Sequence, residues 1–544
     1  MIRHTLSVAT VLLVSVSSVS AQERPDIAVA LQSMGSQTHS LDSIENNGTA
    51  GRKFLNSIWE QLIALDLTDP DLPLMPGLAT EWRYATPTVI EFKLREGVVF
   101  HNGDVMTADD VVFTFSDERF GLLPEQTAAR EAGQSTYTRA DGTTGIVPPA
   151  VVAARRSDAL PSLERVEKVD DMTVRFILKN ENLATERRLA RLNYANISSK
   201  RAFYEAADWN DYVGNPVGAG PYKVERFDPG NEIVLVAHDE YYRGHPPIES
   251  LTFRVVPESA SRVNGLLSGE YDIVSDVNPD QVRLVREAEG FAAVGGPVVN
   301  VRMIAFDVAN ESPLQNLKVR QALAHSIDYE TIVKVLWSGQ TKEAPGFQMP
   351  TFGEMFVEGY ESPKFDPERA KTLLAEAGYG GEPINFYSFN DYYPNELTVG
   401  QYVLQTMQDI GFNINYEIKD GAHRKTPQRH MNMLSNTAHY AHPIAIMASN
   451  CPGGAYNLNN NPDGGRWQND EFDKLCGTLN ESTEASEIRT AMKRMMDIIL
   501  VEDPAMLVLH QNAIIFGKSD KIEWQPSSIF AMPFGPGQFA KLAD

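Results

Sequence analysis

His439 and His442 stand three apart in Asn436-Thr437-Ala438-His439-Tyr440-Ala441-His442-Pro443, a spacing that brings two imidazoles onto one side of a helical turn. Imidazole nitrogen is a ready ligand for divalent transition metals, so the pair invites a metal reading. Neither a cysteine nor a carboxylate joins the two in sequence, however, and histidines beside a proline serve equally as hydrogen-bonding residues. Hydrolytic chemistry finds less support. The chain has no Gly-x-Ser-x-Gly elbow, no His-Glu-x-x-His and no Gly-x-x-x-x-Gly-Lys-Ser/Thr loop. The acidic pairs Asp109-Asp110 and Asp170-Asp171 have structural explanations: Asp110 as a helix cap, and the second pair as a turn before a strand over Thr173 to Leu178. An exported hydrolase is the rival class, and no cofactor is implied.

The only two cysteines are Cys451 and Cys476. In an oxidising compartment they are expected to pair, restraining the Pro/Gly/Asn-rich segment 452–463 by about 3 kcal/mol through chain entropy. Two separate buried thiols are the alternative.

These residues need elements to hold them. Ile90, Phe92 and Leu94 alternate with Glu91, Lys93 and Arg95, the period of a half-buried strand, which Gly97 ends. Asn102-Gly103 suits a tight turn, and Thr107 with Asp110 three residues on predicts a capped helix. Val319, Leu323 and Ile327 recur at helical spacing, and Asp328 caps a second helix bearing Ile332, Val333 and Leu336. Asp366, Pro367 and Gly378 bracket a third helix as cap, first turn and stop. The stretch from Leu122 to Ser162 is polar and aperiodic, and reads as an irregular excursion. Strand-like and helix-like segments are interspersed without a repeat, which predicts mixed α/β lobes.

At the N-terminus Arg3 precedes an apolar run from Leu6 to Val19 and the small-residue pattern Val19-Ser20-Ala21, the signature of a secretory leader over 1–21. The run falls short of the roughly 20 residues that span a bilayer. No cysteine lies near the cleavage point, so a free periplasmic protein is expected, not a lipid-anchored one. Of the 544 residues, 523 remain after cleavage, too many for one core, so two or three lobes are expected. The formal charge of −24 makes nucleic acid and anionic membranes poor partners, and keeps an exported protein soluble.

Five blocks, in order, resemble the large solute-binding proteins of peptide, nickel and opine ABC importers, known as family 5. They are Phe92 to Asp104 with Thr107-Ala108-Asp109-Asp110-Val111; Gly218-Ala219-Gly220-Pro221-Tyr222; Ser268-Gly269-Glu270-Tyr271-Asp272-Ile273; Lys318-Val319-Arg320-Gln321-Ala322-Leu323 with Ser326-Ile327-Asp328; and Asn469-Asp470-Glu471-Phe472-Asp473. The resemblance implies a bilobal α/β periplasmic-binding-protein fold with a discontinuous first lobe, an extra subdomain and two hinge crossings. The first lobe would comprise 22–65, 197–300 and 507–544, the extra subdomain 66–196 and the second lobe 301–506, with crossings near Val301 to Phe306 and Leu507 to Gln511. It also implies a monomer that captures a small polar solute between closing lobes and docks on an inner-membrane ABC permease.

Position by position, the same resemblance assigns a ligand cleft to Gln37, Thr38 and His39; to Ser275 and Asp276; to Arg302, which serves either as ligand contact or as a structural ion pair; to Asn436, Thr437, His439 and Tyr440; and to His510. His39 and His510 would add imidazoles to His439 and His442 in the metal reading, which makes a nickel or metal-chelate binder the alternative. Peptide-binding members commonly place an aspartate where His439 stands, to pair a peptide's α-ammonium. A neutral imidazole pairs poorly with an ammonium and well with a carboxylate or hydroxyl. Asn436 similarly replaces an aromatic platform. The expected cargo is therefore a modified peptide, an opine-like conjugate or another polar organic solute.

Overall fold

A computed structural model describes residues 24–542 except 36, 47, 192–193, 310, 390–392, 420–429, 455 and 459–465. The leader expected over 1–21 lies outside the described residues, as does part of the segment 452–463. The chain is a bilobal α/β protein built on one ten-stranded mixed sheet. Its strand order is Tyr222–Asp228, Glu232–Ala237, Ser250–Val255, Asp26–Leu31, Ile273–Val274, Met506–Ser519, Phe291–Phe306, Met431–Thr437, Ile384–Phe389 and Ile414–Lys419.

Two long antiparallel strands at the centre tie the halves together. Phe291 to Pro297 pairs with Ser519 to Ala513 in the first lobe, and Val301 to Ala305 pairs with Gln511 to Met506 in the second, with a slip in register between Pro297 and Val301. The segments Val301 to Phe306 and Leu507 to Gln511 are the second-lobe ends of these strands. Gly295 permits the crossing: its φ is +103°, and a Cβ there would lie 2.3 Å from the Ile514 carbonyl oxygen, closer than any side chain tolerates. After the second crossing the chain returns to the first lobe, where Ile522–Trp524 pairs with Phe539–Lys541 and Trp524, Phe534 and Phe539 pack in its core. The first lobe is thus discontinuous in sequence.

A separate antiparallel sheet, ordered Ala79–Thr86, Val89–Leu94, Thr173–Leu178 and Leu163–Asp170, carries its own core of Ile90, Phe92, Leu94, Phe100, Val111 and Phe176. The alternation expected at 90–95 is present, with Ile90, Phe92 and Leu94 buried. Thr107 and Asp110 form a reciprocal capping box on the helix Ala108–Thr114, and the other Asp110 oxygen accepts from the Lys200 amide at 2.9 Å. Asp170 accepts from the Met172 amide at 2.8 Å in the turn before Thr173, so one carboxylate of each acidic pair is engaged in local structure.

The stretch 122–162, expected to be irregular, instead holds the helices Pro124–Glu131 and Ala150–Ala159 and the hairpin Thr136–Thr138 with Thr144–Ile146. Polar side chains fasten it. Gln126 donates to the carbonyls of Glu118 and Ile146, Arg130 to those of Gly121 and Pro148, and the Glu118 carboxylate accepts from Tyr137, Arg139 and Tyr204. In the second lobe Asn316, Asp328 and Asp366 cap the helices Leu317–Ala324, Tyr329–Thr331 and Pro367–Glu376. The second of these passes into a π-helical turn, Ile332–Leu336. The disulfide expected between Cys451 and Cys476 is formed, and it staples the segment after the helix Ile444–Met447 to the helix Asp470–Glu481.

The lobes touch. Arg188, from the part of the chain that carries the separate sheet, donates to the Tyr440 hydroxyl at 2.9 Å and to Asn480 at 3.0 Å in the second lobe. The Asn278 side-chain oxygen accepts from the Asn395 amide at 3.4 Å.

Candidate ligand-binding cleft

The first-lobe helix Thr49–Leu55 delivers two adjacent cations, Arg52 and Lys53, into the interior, anchored by Phe54 and Leu55 in the first-lobe core. Their fates differ. Lys53 is ion-paired with Asp276, whose carboxylate also accepts from the Ser275 hydroxyl at 2.5 Å. Asp276 has a φ of +56°, a left-handed conformation held by Arg262, which donates to the carbonyls of Ser275 and Asp276 at 2.8 Å each. Lys53 is neutralised inside its own lobe, and both proposed contacts, Ser275 and Asp276, are spent on holding it.

Arg52 has no such partner. It is 1% exposed, and its Nη2 donates across the lobe boundary to Nδ1 of His439, while Nε and Nη1 have no hydrogen-bond partner among the described residues. Burial, then the neighbouring Arg191, pulls its guanidinium down to about 9, still charged at neutral pH. His439 follows the strand Met431–Thr437. Burial and then the charges of Arg191, Arg52 and Arg155 hold its imidazole far below the usual range, so it is neutral. With Nδ1 accepting from Arg52, the neutral tautomer carries its hydrogen on Nε2, and His439 is left as a donor. Arg191 itself lies 3.8 Å from the Tyr194 ring centroid.

A hydroxyl and amide cluster surrounds this pair. The Tyr393 hydroxyl meets Thr49 of the first lobe at 3.4 Å, Ser435 at 3.2 Å and Asn300 at 3.4 Å. Asn300, between the two paired stretches of the crossing strand, donates to the Thr437 hydroxyl at 2.6 Å and accepts from Asn512 at 2.5 Å.

Of the residues expected in the cleft, His439 and Thr437 meet here, and Ser275 and Asp276 sit behind Lys53. Asn436 donates to the Ile446 carbonyl at 2.5 Å and braces the helix Ile444–Met447. Tyr440 accepts from Arg188 and, with Leu72, Arg187, Val299 and Ile529, lines a separate cavity of about 140 Å³. Arg302 is in a buried ion pair with Glu396, which is the structural role weighed for it. His510 donates Nδ1–H to the Gln511 carbonyl at 2.8 Å and packs against Trp337, and burial takes it to about 4. Gln37, Thr38 and His39 lie at the edge: Thr38 and His39 are exposed, with Gly230 and Glu45 as their neighbours.

The four histidines of the metal reading are separately engaged. His442 is buried, accepts from the Ile444 amide at 3.3 Å, and is pushed to about 3 by burial and by Arg188 and Arg187. Arginines surround His439, and no cluster of three or more metal-ligating side chains exists among the described residues.

The family of bacterial extracellular solute-binding proteins, family 5 Middle, matches residues 73–456, well over half of the chain. The chain belongs to this family. Family 5 is a family of solute-binding transport proteins. A dipeptide-binding protein from Escherichia coli strain K12 is 27% identical over 376 residues, covering 64% of this chain and 66% of that one. A heme-binding protein A from Haemophilus influenzae is 27% identical over 483 residues, covering 85% and 83%. Among solved structures, a solute-binding protein from Agrobacterium tumefaciens R10 in complex with mannopinic acid superposes with a TM-score of 0.78 at 21% identity, covering 96% of this chain and all of that one.

In this family 5 protein the sequence reading missed Arg52, Arg155, Arg188, Arg191 and Tyr393. One signal was available. In a chain of charge −24, Arg155-Arg156 and Arg187-Arg188 with Arg191 are local basic runs, and Arg52-Lys53 directly precedes Phe54-Leu55, where a solvated face would not continue.

Proposed function

We propose that this protein is the capture component of an ABC importer, exported to the periplasm, which binds a polar organic solute bearing an anionic group and delivers it unchanged to an inner-membrane permease. The observation that carries the reading is Arg52: a guanidinium buried at the lobe boundary beside Arg191, Tyr194 and Tyr393, whose Nε and Nη1 have no acceptor among the described residues. Buried cations are retained where an anion meets them. Gln37, Thr38, Thr437 and His439 are proposed as further cleft residues, with His439 offering Nε2–H as a donor. The cargoes named for the relatives, a dipeptide, heme and mannopinic acid, share a carboxylate. Delivery of the solute with its bonds intact is the reading that membership of a solute-binding transport family supports.

Native mass spectrometry of the freshly purified protein tests this directly. An anionic solute is expected to travel with the wild type and to be lost from Arg52→Gln. Solute binding that survives Arg52→Gln would remove the anionic reading. Tight binding of unmodified di- or tripeptides that survives His439→Ala would remove the expectation of a modified cargo, and a mass change in a bound candidate would make the protein an enzyme. The metal reading loses ground because the positions meant to hold a cation are ringed by arginines.

A further inference from the structure

Arg52 and His439 belong to opposite lobes, so the hydrogen bond between them exists only while the lobes are together. In that state Arg52 is 1% exposed, and Nε and Nη1 have no acceptor among the described residues. Its neighbour Lys53 shows what a satisfied cation looks like in this helix: also buried, but paired with Asp276 from its own lobe whatever the other lobe does. A cation enclosed with unspent donors is costly, and hydration on opening relieves that cost. A neutral imidazole acceptor offsets only part of it.

We infer that Arg52 makes lobe closure conditional on an anion. This rests on the capture function proposed above and adds how the cleft discriminates. A neutral solute that fits the cleft leaves Arg52 enclosed and unpaired, so the closed form is disfavoured with it inside; an anionic solute supplies the missing acceptors and closes the lobes. The equilibrium between open and closed forms follows the difference in the ligand's affinity for the two, and here that difference resides largely in one side chain. Selectivity is exerted at closure, before the permease is engaged, and not by contact area alone.

The test is the open-to-closed ratio of the solute-free protein, stripped by unfolding and refolding and read from the distance between spin labels placed on the two lobes. The wild type and Arg52→Lys, which keeps the charge, are expected to be predominantly open. Arg52→Met, which removes the charge but keeps an apolar stem, is expected to raise the closed-to-open ratio at least tenfold without any solute. His439→Ala removes the acceptor that faces Nη2 of Arg52 and is expected to shift the ratio further toward open, which keeps the inference testable if Arg52→Met folds poorly. Equal closure of Arg52→Lys and Arg52→Met, or unchanged opening of His439→Ala, would overturn it. If Arg52→Met stays open yet no longer carries the anionic solute, conditional closure falls while anion capture stands. If it retains the solute, anion capture through Arg52 falls as well.

Discussion

Lys53 and Asp276 neutralise each other deep in the first lobe, and the consequence of breaking them is set by burial. Asp276→Asn leaves an ammonium without its counter-ion and is expected to cost about 3–5 kcal/mol. Thermal unfolding should register this as a clear fall in midpoint; a variant that lost solute binding while melting normally would instead make Asp276 a ligand contact. The neutral histidines set the acid limit in the same way. Burial first holds His101 and His442 near about 3 and His510 near about 4. Their unfolded counterparts titrate near 6.5, so between those values the unfolded chain binds more protons than the folded one, and stability rises with pH. Denaturant midpoints are therefore expected to be flat above about pH 6.5 and to fall steeply from there toward pH 4. At this scale the cleft was only half legible. His439 announced itself by standing where a carboxylate was expected, whereas Arg52 carries no local mark of its burial, because enclosure is produced by the opposite lobe 387 residues away.

Element boundaries are legible where they depend on local chemistry: the strand read to stop at Gly97 ends at Leu94. The capping box at Thr107, the caps at Asp328 and Asp366 and the alternation at 90–94 were legible because each depends on residues a few positions apart. Gly295-Gly296-Pro297 has the composition of a break, yet the strand Phe291–Phe306 runs through it, paired on the far side with residues more than 200 positions later. The hairpin and helices of 122–162 were missed for a related reason: their anchors are side chains reaching distant carbonyls, which leave no periodic trace. Gly295→Ala is expected to destabilise the protein by about 1–3 kcal/mol through its left-handed φ and the approach of Ile514, measurable as a lower urea midpoint with unchanged slope. Reducing the Cys451–Cys476 bridge, whose ends are 25 residues apart, should remove about 3 kcal/mol, read by unfolding with and without reductant.

At the scale of the whole molecule, the contacts between lobes outside the cleft govern how long a captured solute stays. Arg188 makes two charge-assisted hydrogen bonds to the second lobe, to Tyr440 and Asn480. Arg188→Met is expected to speed solute release about tenfold or more, since such bonds contribute roughly 1.5–3 kcal/mol, while leaving the association rate nearly unchanged. Stopped-flow release into excess competitor separates the two rates. The bilobal plan itself was legible through ordered blocks resembling a known family; the chain's own physics supplied the mixed α/β character. Strand order was not legible, because sheet neighbours here are set by pairing across hundreds of residues. One strand makes the point. Met506–Ser519, near the C-terminus, lies in the middle of the ten-stranded sheet, between Ile273–Val274 and Phe291–Phe306. Neither lobe can finish its sheet until almost the whole polypeptide has been synthesised, and pairing over such separations is slow. A ribosome still short of residue 506 therefore holds a chain in which the separate sheet of residues 79–178 has all its strands while both lobes still lack the strand they share.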